Sequence, residues 1–228
     1  MQAKISEIFL SYQGEGPYLG SRQLFVRVFG CNLKCAYCDT ASESYKSFSK
    51  EALLGKVLDF DDNYNELTLT GGEPLLYGSF LSEFLSLYKR HLSLDIYLET
   101  NGILAKELSK VIDYVDIVAM DFKLPSSTGI EDNLWAMHKE FLKIASKKSV
   151  IVKAVIADST TIDDIKDMSS VLNGNDKDFM VVLQPVTPYN NIKAPDEEMI
   201  SLFKKYIIKN TGKETLILGQ GHKRFGIR

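Results

Sequence analysis

Cys31, Cys35 and Cys38 are the three cysteines of this 228-residue chain, and they fall within eight consecutive positions. The run Gly30-Cys31-Asn32-Leu33-Lys34-Cys35-Ala36-Tyr37-Cys38-Asp39-Thr40 spaces them as C-x3-C-x2-C. So short a loop can converge three thiolates on one point, but it leaves a four-coordinate centre one protein ligand short. Structural zinc is closed by a fourth Cys or His, whereas catalytic metal sites keep a position open. Iron–sulfur clusters usually take four thiolates, so three on a four-iron cluster leave one iron for a group that is not protein. The ordinary alternatives explain less. A disulfide would strand one thiol, and zinc would need a distant partner although His91, His138 and His222 are scattered. A simple electron carrier would use four cysteines. The N-terminal residues have no apolar export core and no apolar run is long enough to span a membrane. A cytoplasmic chain whose clustered cysteines bind metal or do redox chemistry is therefore expected.

Composition sets wider bounds. Hydrophobic side chains make up 45% and charged ones 25%, an ordinary globular balance. A net charge of −3 argues against a nucleic-acid-binding domain, for which a basic stripe is expected. No repeat, low-complexity tract or Pro/Ser-rich linker divides the chain, so residues 1–228 are expected to form a single domain.

The elements that must position the cysteines alternate in type. Lys4–Leu10, Leu24–Phe29, Leu67–Thr70, Leu94–Leu98, Val115–Met120, Val150–Ile156, Phe179–Leu183 and Thr215–Leu218 read as strands. Between them Ser49–Leu58, Ser79–Tyr88, Leu104–Ile112, Asn133–Ala145, Ile162–Leu172 and Asp196–Ile208 carry helical periodicity. Such alternation predicts an α/β fold with a mostly parallel sheet and helical crossovers, whose ligands sit beyond the carboxyl ends of the strands. The unusual residues fall at that edge. The cysteine loop follows Leu24–Phe29, and Gly71-Gly72-Glu73-Pro74 follows Leu67–Thr70. Glu99-Thr100-Asn101-Gly102, Asp121-Phe122-Lys123, Gln184-Pro185-Val186-Thr187 and Gly219-Gln220-Gly221-His222-Lys223 follow later strands. A full eight-stranded barrel takes about 250 residues, so a partial (β/α) barrel is expected.

Read together, the C-x3-C-x2-C loop with an aromatic before its last cysteine and Gly71-Gly72-Glu73-Pro74 at the next strand end resemble the radical S-adenosylmethionine (SAM) superfamily. Within it, Ser11-Tyr12-Gln13-Gly14-Glu15-Gly16, Cys38-Asp39-Thr40 and the ending Gln220-Gly221-His222-Lys223 to Arg228 resemble the 7-carboxy-7-deazaguanine synthases of queuosine and 7-deazapurine biosynthesis. The chain departs from that family's Ser-Pro-Lys turn, reading Asp121-Phe122-Lys123; the lysine carries over. The alternative with similar cysteine loops is a radical SAM activase that installs a glycyl radical on a partner protein, which would not need Gln13-Gly14-Glu15-Gly16.

The resemblance implies a lyase using a 4Fe-4S cluster, SAM and Mg2+. It would convert 6-carboxy-5,6,7,8-tetrahydropterin to 7-carboxy-7-deazaguanine with loss of ammonia. No side chain is implied as catalytic beyond the radical that the cofactor supplies. Cys31, Cys35 and Cys38 would hold the cluster and Thr40 the magnesium, although Asp39 and Thr40 alone read as an ordinary helix cap. SAM would meet Tyr37, Cys38, Asp39, Gly72, Glu99, Asp121, Phe122, Lys123, Gln184, Pro185, Val186 and Thr187. The pterin would meet Tyr12, Gln13, Gly14, Glu15, Arg27, Thr70 and the C-terminal carboxylate of Arg228, with residues 1 to about 22 forming a substrate-binding strand and loop. Arg27 is otherwise read as an internal salt bridge to Glu15 or Glu99; its fork-shaped guanidinium suits a substrate carboxylate. A low-potential reductant such as flavodoxin or ferredoxin and a homodimeric assembly are the expected partners, with no nucleic acid and no membrane.

Overall fold

Alternation with a period of two sorts the strand side chains to two faces. In the computed structural model, which describes residues 1–39, 44–61, 63–130, 132–189 and 191–226, strand β2 (Arg22–Val28) sends Leu24, Val26 and Val28 into the main core. Its Phe25 and Arg27 face a cavity on the other side. The same division runs through β4 (Glu66–Gly71), β5 (Asp95–Thr100), β6 (Ile117–Phe122), β7 (Ser149–Ile156) and β8 (Met180–Pro185). Leu67, Leu69, Ile96, Leu98, Val118, Met120, Val152, Ala154, Val181 and Leu183 pack into the core. Thr70, Glu99, Asp121, Lys153 and Gln184 line the cavity.

Among the described residues the sheet has nine strands in the order β3-β1-β2-β4-β5-β6-β7-β8-β9, with β3 (Lys46–Phe48) and β9 (Thr215–Ile217) at its open ends. β2 and β4 to β9 pair in parallel with their neighbours, and β1 (Ala3–Tyr12) lies antiparallel to both β2 and β3. This is the α/β, open-barrel architecture expected from the alternation. Both edge strands are three residues long, which limits the unpaired backbone offered to another sheet.

Helices α1 (Lys50–Leu58), α2 (Gly78–Tyr88), α3 (Ala105–Val111), α5 (Trp135–Ala145), α6 (Ile162–Asn173) and α7 (Glu197–Thr211) contribute to the core on the convex face. Ser49, Thr161 and Asp196 cap three of them by accepting from the backbone N–H groups of Ala52, Asp164 and Met199, each cap worth about 1 kcal/mol. On the concave face Tyr97, Ile117, Ile151 and Val182 form a small apolar floor. Two short helices, α4 (Pro125–Thr128) and α8 (Gly221–Phe225), and 3₁₀ turns at Gly16–Tyr18 and Pro74–Tyr77 complete the rim.

The core beneath α2 offers a direct test. Phe84 is fully buried, stacked on Phe80 and tilted against Tyr88. Phe84→Ala is expected to lower unfolding free energy by about 3–5 kcal/mol, read from urea denaturation; a loss under about 1 kcal/mol would contradict this packing.

Candidate active site

The cysteine loop leaves β2 through Gly30, whose φ of +92° suits glycine. It is held against the neighbouring strand end by close backbone contact. A Cβ on Gly72 would sit 2.0 Å from the Gly30 carbonyl oxygen, and one on Gly71 (φ +127°) would sit 2.3 Å from that of Val28. The Glu73 N–H donates to the Gly30 carbonyl at 2.9 Å. Glu73 itself is buried and accepts from the Asn101 N–H at 2.7 Å, Thr100 Oγ1 at 2.8 Å and the Leu75 N–H at 3.0 Å. Asn101 Nδ2 in turn donates to Asn32 Oδ1 in the cysteine loop at 2.9 Å. From the far side, the Thr128 carbonyl of α4 accepts from the Ala36 N–H at 2.8 Å. Cys31, Cys35 and Cys38 all line one cavity of about 300 Å³. Burial pushes the Cys35 thiol up to about 11 and also raises that of Cys31, so binding iron there must displace protons.

Next along the rim, Lys123 Nζ lies 2.8 Å from Asp121 Oδ2, 3.5 Å from the Tyr37 hydroxyl and 5.4 Å from the centre of its ring. Burial works against the Lys123 charge, but the Asp121 carboxylate more than offsets it and keeps the ammonium protonated. Below, His138 is fully buried and stacks on Phe122 at 4.6 Å. Its Nε2 accepts from the Lys123 N–H at 3.1 Å, and its Nδ1 lies 3.0 Å from the Gly102 carbonyl. The neutral ring with the proton on Nδ1 satisfies both, and it ties together the loops after β5 and β6.

At the other end of the cavity, Gln13 Nε2 donates to Glu99 Oε1 at 2.9 Å and Thr70 Oγ1 to Glu99 Oε2 at 2.5 Å. Glu15 receives Lys153 Nζ of β7 at 2.6 Å and Gln220 Nε2 at 2.9 Å. Burial opposes the Glu15 charge, but the Lys153 ammonium, the bonds from Lys153 and Gln220, and His222 together bring its carboxyl down to about 2. The C-terminal segment closes over this end. The Gly221 N–H donates to the Gly14 carbonyl at 2.8 Å, and a Cβ on Gly14 would overlap His222. Arg27 has its Nε 3.2 Å from Glu7 Oε2 and its guanidinium 5.5 Å from the Phe9 ring centre. Its internal partner is thus Glu7, its neighbour in the β1–β2 register, rather than Glu15 or Glu99.

A family model described as the radical SAM superfamily matches residues 25–168. A 7-carboxy-7-deazaguanine synthase of Geobacter sulfurreducens is 36% identical over 208 residues, covering 81% of this chain and 82% of that protein. One of Methanocaldococcus jannaschii is 31% identical and covers 98% and 99%. The chain belongs to the radical SAM superfamily, in its 7-carboxy-7-deazaguanine synthase family. Among solved structures, QueE from Escherichia coli superposes with a TM-score of 0.66 at 20% identity, covering 97% of this chain and 95% of that one. That likeness supports the fold alone. The radical SAM family implies a 4Fe-4S cluster and SAM, and relatives spanning nearly the whole chain carry the synthase name, which leaves the glycyl-radical activase alternative unsupported.

Most residues singled out in the sequence line the one cavity: Tyr12, Gln13, Gly14, Glu15, Arg27, Tyr37, Asp39, Thr70, Gly72, Glu99, Asp121, Lys123, Gln184 and Val186 join the cysteines. Phe122, Pro185 and Thr187 do not. Phe122 points into the core, and Thr187 Oγ1 donates to Gln220 Oε1 at 2.6 Å. Glu99 stands with Gln13 and Thr70 instead of with the cysteines. Thr40 and Arg228 lie outside the described residues. Lys153, Asn101, Gln220 and His222 were not assigned roles from the sequence. The alternation of β7 alone would have placed Lys153 on the inner face with Ile151 and Val155.

The residues present fit the implied groups. Asn101 Oδ1, Asp121 Oδ1 and Gln184 Oε1 are buried acceptors with no hydrogen-bond partner among the described residues. All three belong to residues lining the cavity beside the cysteines, so they suit a ligand rich in O–H and N–H donors. Among the described residues no three His, Cys, Asp or Glu side chains are placed to share one metal ion. A four-iron cluster makes a different demand, with each thiolate on its own iron.

His138 gives a pH prediction. Burial lowers it from an ordinary 6.5 to about 4, so the folded state keeps it neutral while the unfolded state gains a proton. Its contribution, on the order of 3 kcal/mol, is present above about pH 6.5 and lost as pH falls towards about 4. In urea titrations at about pH 7 and about pH 4.5, His138→Gln should lose less stability on acidification than wild type; equal losses would refute the assignment.

Proposed function

We propose that this chain converts 6-carboxy-5,6,7,8-tetrahydropterin to 7-carboxy-7-deazaguanine with loss of ammonia, acting in the cytoplasm in queuosine or deazapurine biosynthesis. The observation that carries the reading is the polarity of the cavity. Three thiols and unpartnered acceptors occupy one end, while Gln13, Glu15, Thr70 and Glu99 gather at the other. Cys31, Cys35 and Cys38 hold the cluster. Tyr37, Cys38, Asp39, Gly72, Asp121, Lys123, Gln184 and Val186 surround SAM, with Phe122 and Pro185 ending the strands β6 and β8 behind them and Thr187 following β8. When bound, these groups supply one-electron, hydrogen-abstracting chemistry.

The protein's own part is placement and exclusion of water. Gln13, Glu15 and Glu99 offer the amide and carboxylate groups that read a pterin's N–H edge, with Tyr12, Gly14 and Thr70 beside them. In this reading the strand and loop of residues 1 to about 22 serve the substrate. Arg27, braced by Glu7, presents a guanidinium to the substrate carboxylate. Glu99, expected at SAM, is assigned here to the pterin because it is bonded to Gln13 and Thr70. Thr40 and the C-terminal carboxylate of Arg228, both outside the described residues, keep the roles that the resemblance gives them: Thr40 would help hold a hydrated Mg2+, an ion that keeps several waters, and the Arg228 carboxylate would meet the substrate. Asp39 is ion-paired with Lys223 of the C-terminal segment, which ties that segment to the end of the cysteine loop. An external one-electron donor of the flavodoxin or ferredoxin type and a homodimer complete the reading. No described helix is long and apolar enough to cross a membrane.

Anaerobically reconstituted protein given SAM, reductant, Mg2+ and the carboxytetrahydropterin should release the deazaguanine; SAM cleavage with the pterin returned unchanged would overturn the proposal. Arg27→Lys should raise the KM for the pterin roughly 10- to 100-fold, the range of a lost charge-assisted bond, while SAM affinity by equilibrium dialysis stays within about threefold. Chelating divalent ions from the reconstituted enzyme should suppress turnover at low pterin concentration, with the cluster absorbance retained and activity restored by Mg2+; turnover indifferent to chelation would remove the metal from the reading.

A further inference from the structure

Lys153 has no place in any of the motifs that mark the family, yet it occupies the centre of the cavity floor. It lies on β7 directly across from Asp121 in the parallel register. Its ammonium is 2.6 Å from Glu15 Oε2 and 3.6 Å from Asp121 Oδ2. It therefore stands between the carboxylate at the Gln13–Glu15 end and the one at the cysteine end. Its side chain is 22% exposed, and those of Glu15 and Asp121 are 20% and 14% exposed. Water is thus scarce around all three, and removing one partner from a pair of buried charges leaves the other poorly solvated.

We propose that Lys153 is a positioning residue for the pterin, fixing the Glu15 carboxylate as an ionised, correctly aimed acceptor for the substrate's N–H edge. The inference rests on the function proposed above and deepens it at one residue. Each Glu15 oxygen takes one intramolecular bond, Oε2 from Lys153 and Oε1 from Gln220. A carboxylate oxygen has room for another donor, so one lone-pair direction on each oxygen is left for a ligand presenting two parallel N–H groups. An aminopyrimidinone edge has that form. A protonated Glu15 would turn one acceptor into a donor facing that edge, and the fit would be lost.

Every charged or titratable group near Glu15 bears on this. Lys153 and, beyond it, Asp121 face it from β7 and β6, Tyr97 and Glu99 from β5, and His222 from α8. Gln220 contributes a bond without a charge. Lys153 is the ammonium in direct contact, whereas Glu99 and Asp121 favour protonation of Glu15. Without Lys153, burial and these anions act together, and both raise a carboxyl.

The test uses reconstituted holoenzyme with SAM and 6-carboxy-5,6,7,8-tetrahydropterin between about pH 5.5 and about pH 8.5. The readouts are KM and, separately from turnover, the pterin Kd by anaerobic equilibrium dialysis. Wild type should show a pterin Kd that varies less than about threefold across the range. Lys153→Met should bind at least about tenfold more weakly near the acid end than near the alkaline end. Lys153→Arg should follow wild type within about threefold. Adding Glu15→Gln to Lys153→Met should flatten the profile, and adding His222→Gln should leave its slope in place. A flat profile in Lys153→Met, or a slope that survives Glu15→Gln or vanishes with His222→Gln, would overturn the inference. If Lys153→Met does not fold by circular dichroism, Lys153→Gln replaces it with the same expected slope. Failure of wild type to convert the pterin would instead refute the proposed function, so the two failures are distinct.

Discussion

The contact between the Gly72 α-carbon region and the Gly30 carbonyl decides where everything else at the rim can sit. Two strand ends approach so closely there that a single extra carbon would meet an oxygen at 2.0 Å. Glycine at position 72 allows that approach, Gly30 supplies the positive φ of the turn, and the Glu73 N–H then bonds across the contact. Once Glu73 is placed, its carboxylate orders Thr100 and Asn101 at the next strand end, and Asn101 reaches back to Asn32. The cysteine loop is thus clamped by a closed circuit through three strand ends. A loop carrying three metal ligands without a fourth gains its definition from backbone packing of this kind.

Charge inside the cavity follows a related economy. Glu15, Lys153, Asp121 and Lys123 form an alternating series from one end to the other, with contacts of 2.6, 3.6 and 2.8 Å. Burial works against the charges of Glu15, Lys153 and Lys123, and the opposite charges beside them offset it. In series each is neutralised by its neighbour. The polar ends of two ligands can then be received by groups already in their charged forms, so little reorganisation is left to binding.

Much of this arrangement was legible in the residues, and the reasons for the exceptions are physical. Helices and strands with several turns or alternations, such as Ser79–Tyr88 and Val150–Ile156, register their periodicity to within a residue or two, although α7 runs three residues past the expected end at Ile208, to Thr211. The strand Lys46–Phe48 and the helix Pro125–Thr128 are too short to show any period. The cysteine and Gly-Gly-Glu-Pro loops announced themselves because their chemistry is local. The partner of Arg27 did not: Glu7 is 20 positions away and becomes its neighbour only through antiparallel pairing, past an irregularity in the register near Ile5 and Glu7. Lys153 was passed over for a related reason. Alternation puts it on the face of Ile151 and Val155, but nothing local to the strand says that this face lines a cavity. Phe122 shows the converse, since its place in a rim turn suggested a ligand contact while the alternation of β6 drives its ring into the core.

The bonds joining Glu15 to Gln220 and Glu15 to Lys153 span 205 and 138 positions of sequence. Contacts so remote form late, since the entropy of closing large loops must be met before they yield any return. On the ribosome the end of the cavity around Glu15 can therefore have no complete wall until the residues around His222 have emerged. A nascent or shortened chain that has already folded its cysteine loop would possess the reactive half of the cavity without the half that chooses what is allowed to react. Stitching the loop at Gly14–Glu15 to the segment at Gln220–Gly221 makes the presence of both a condition for closing that side of the cavity.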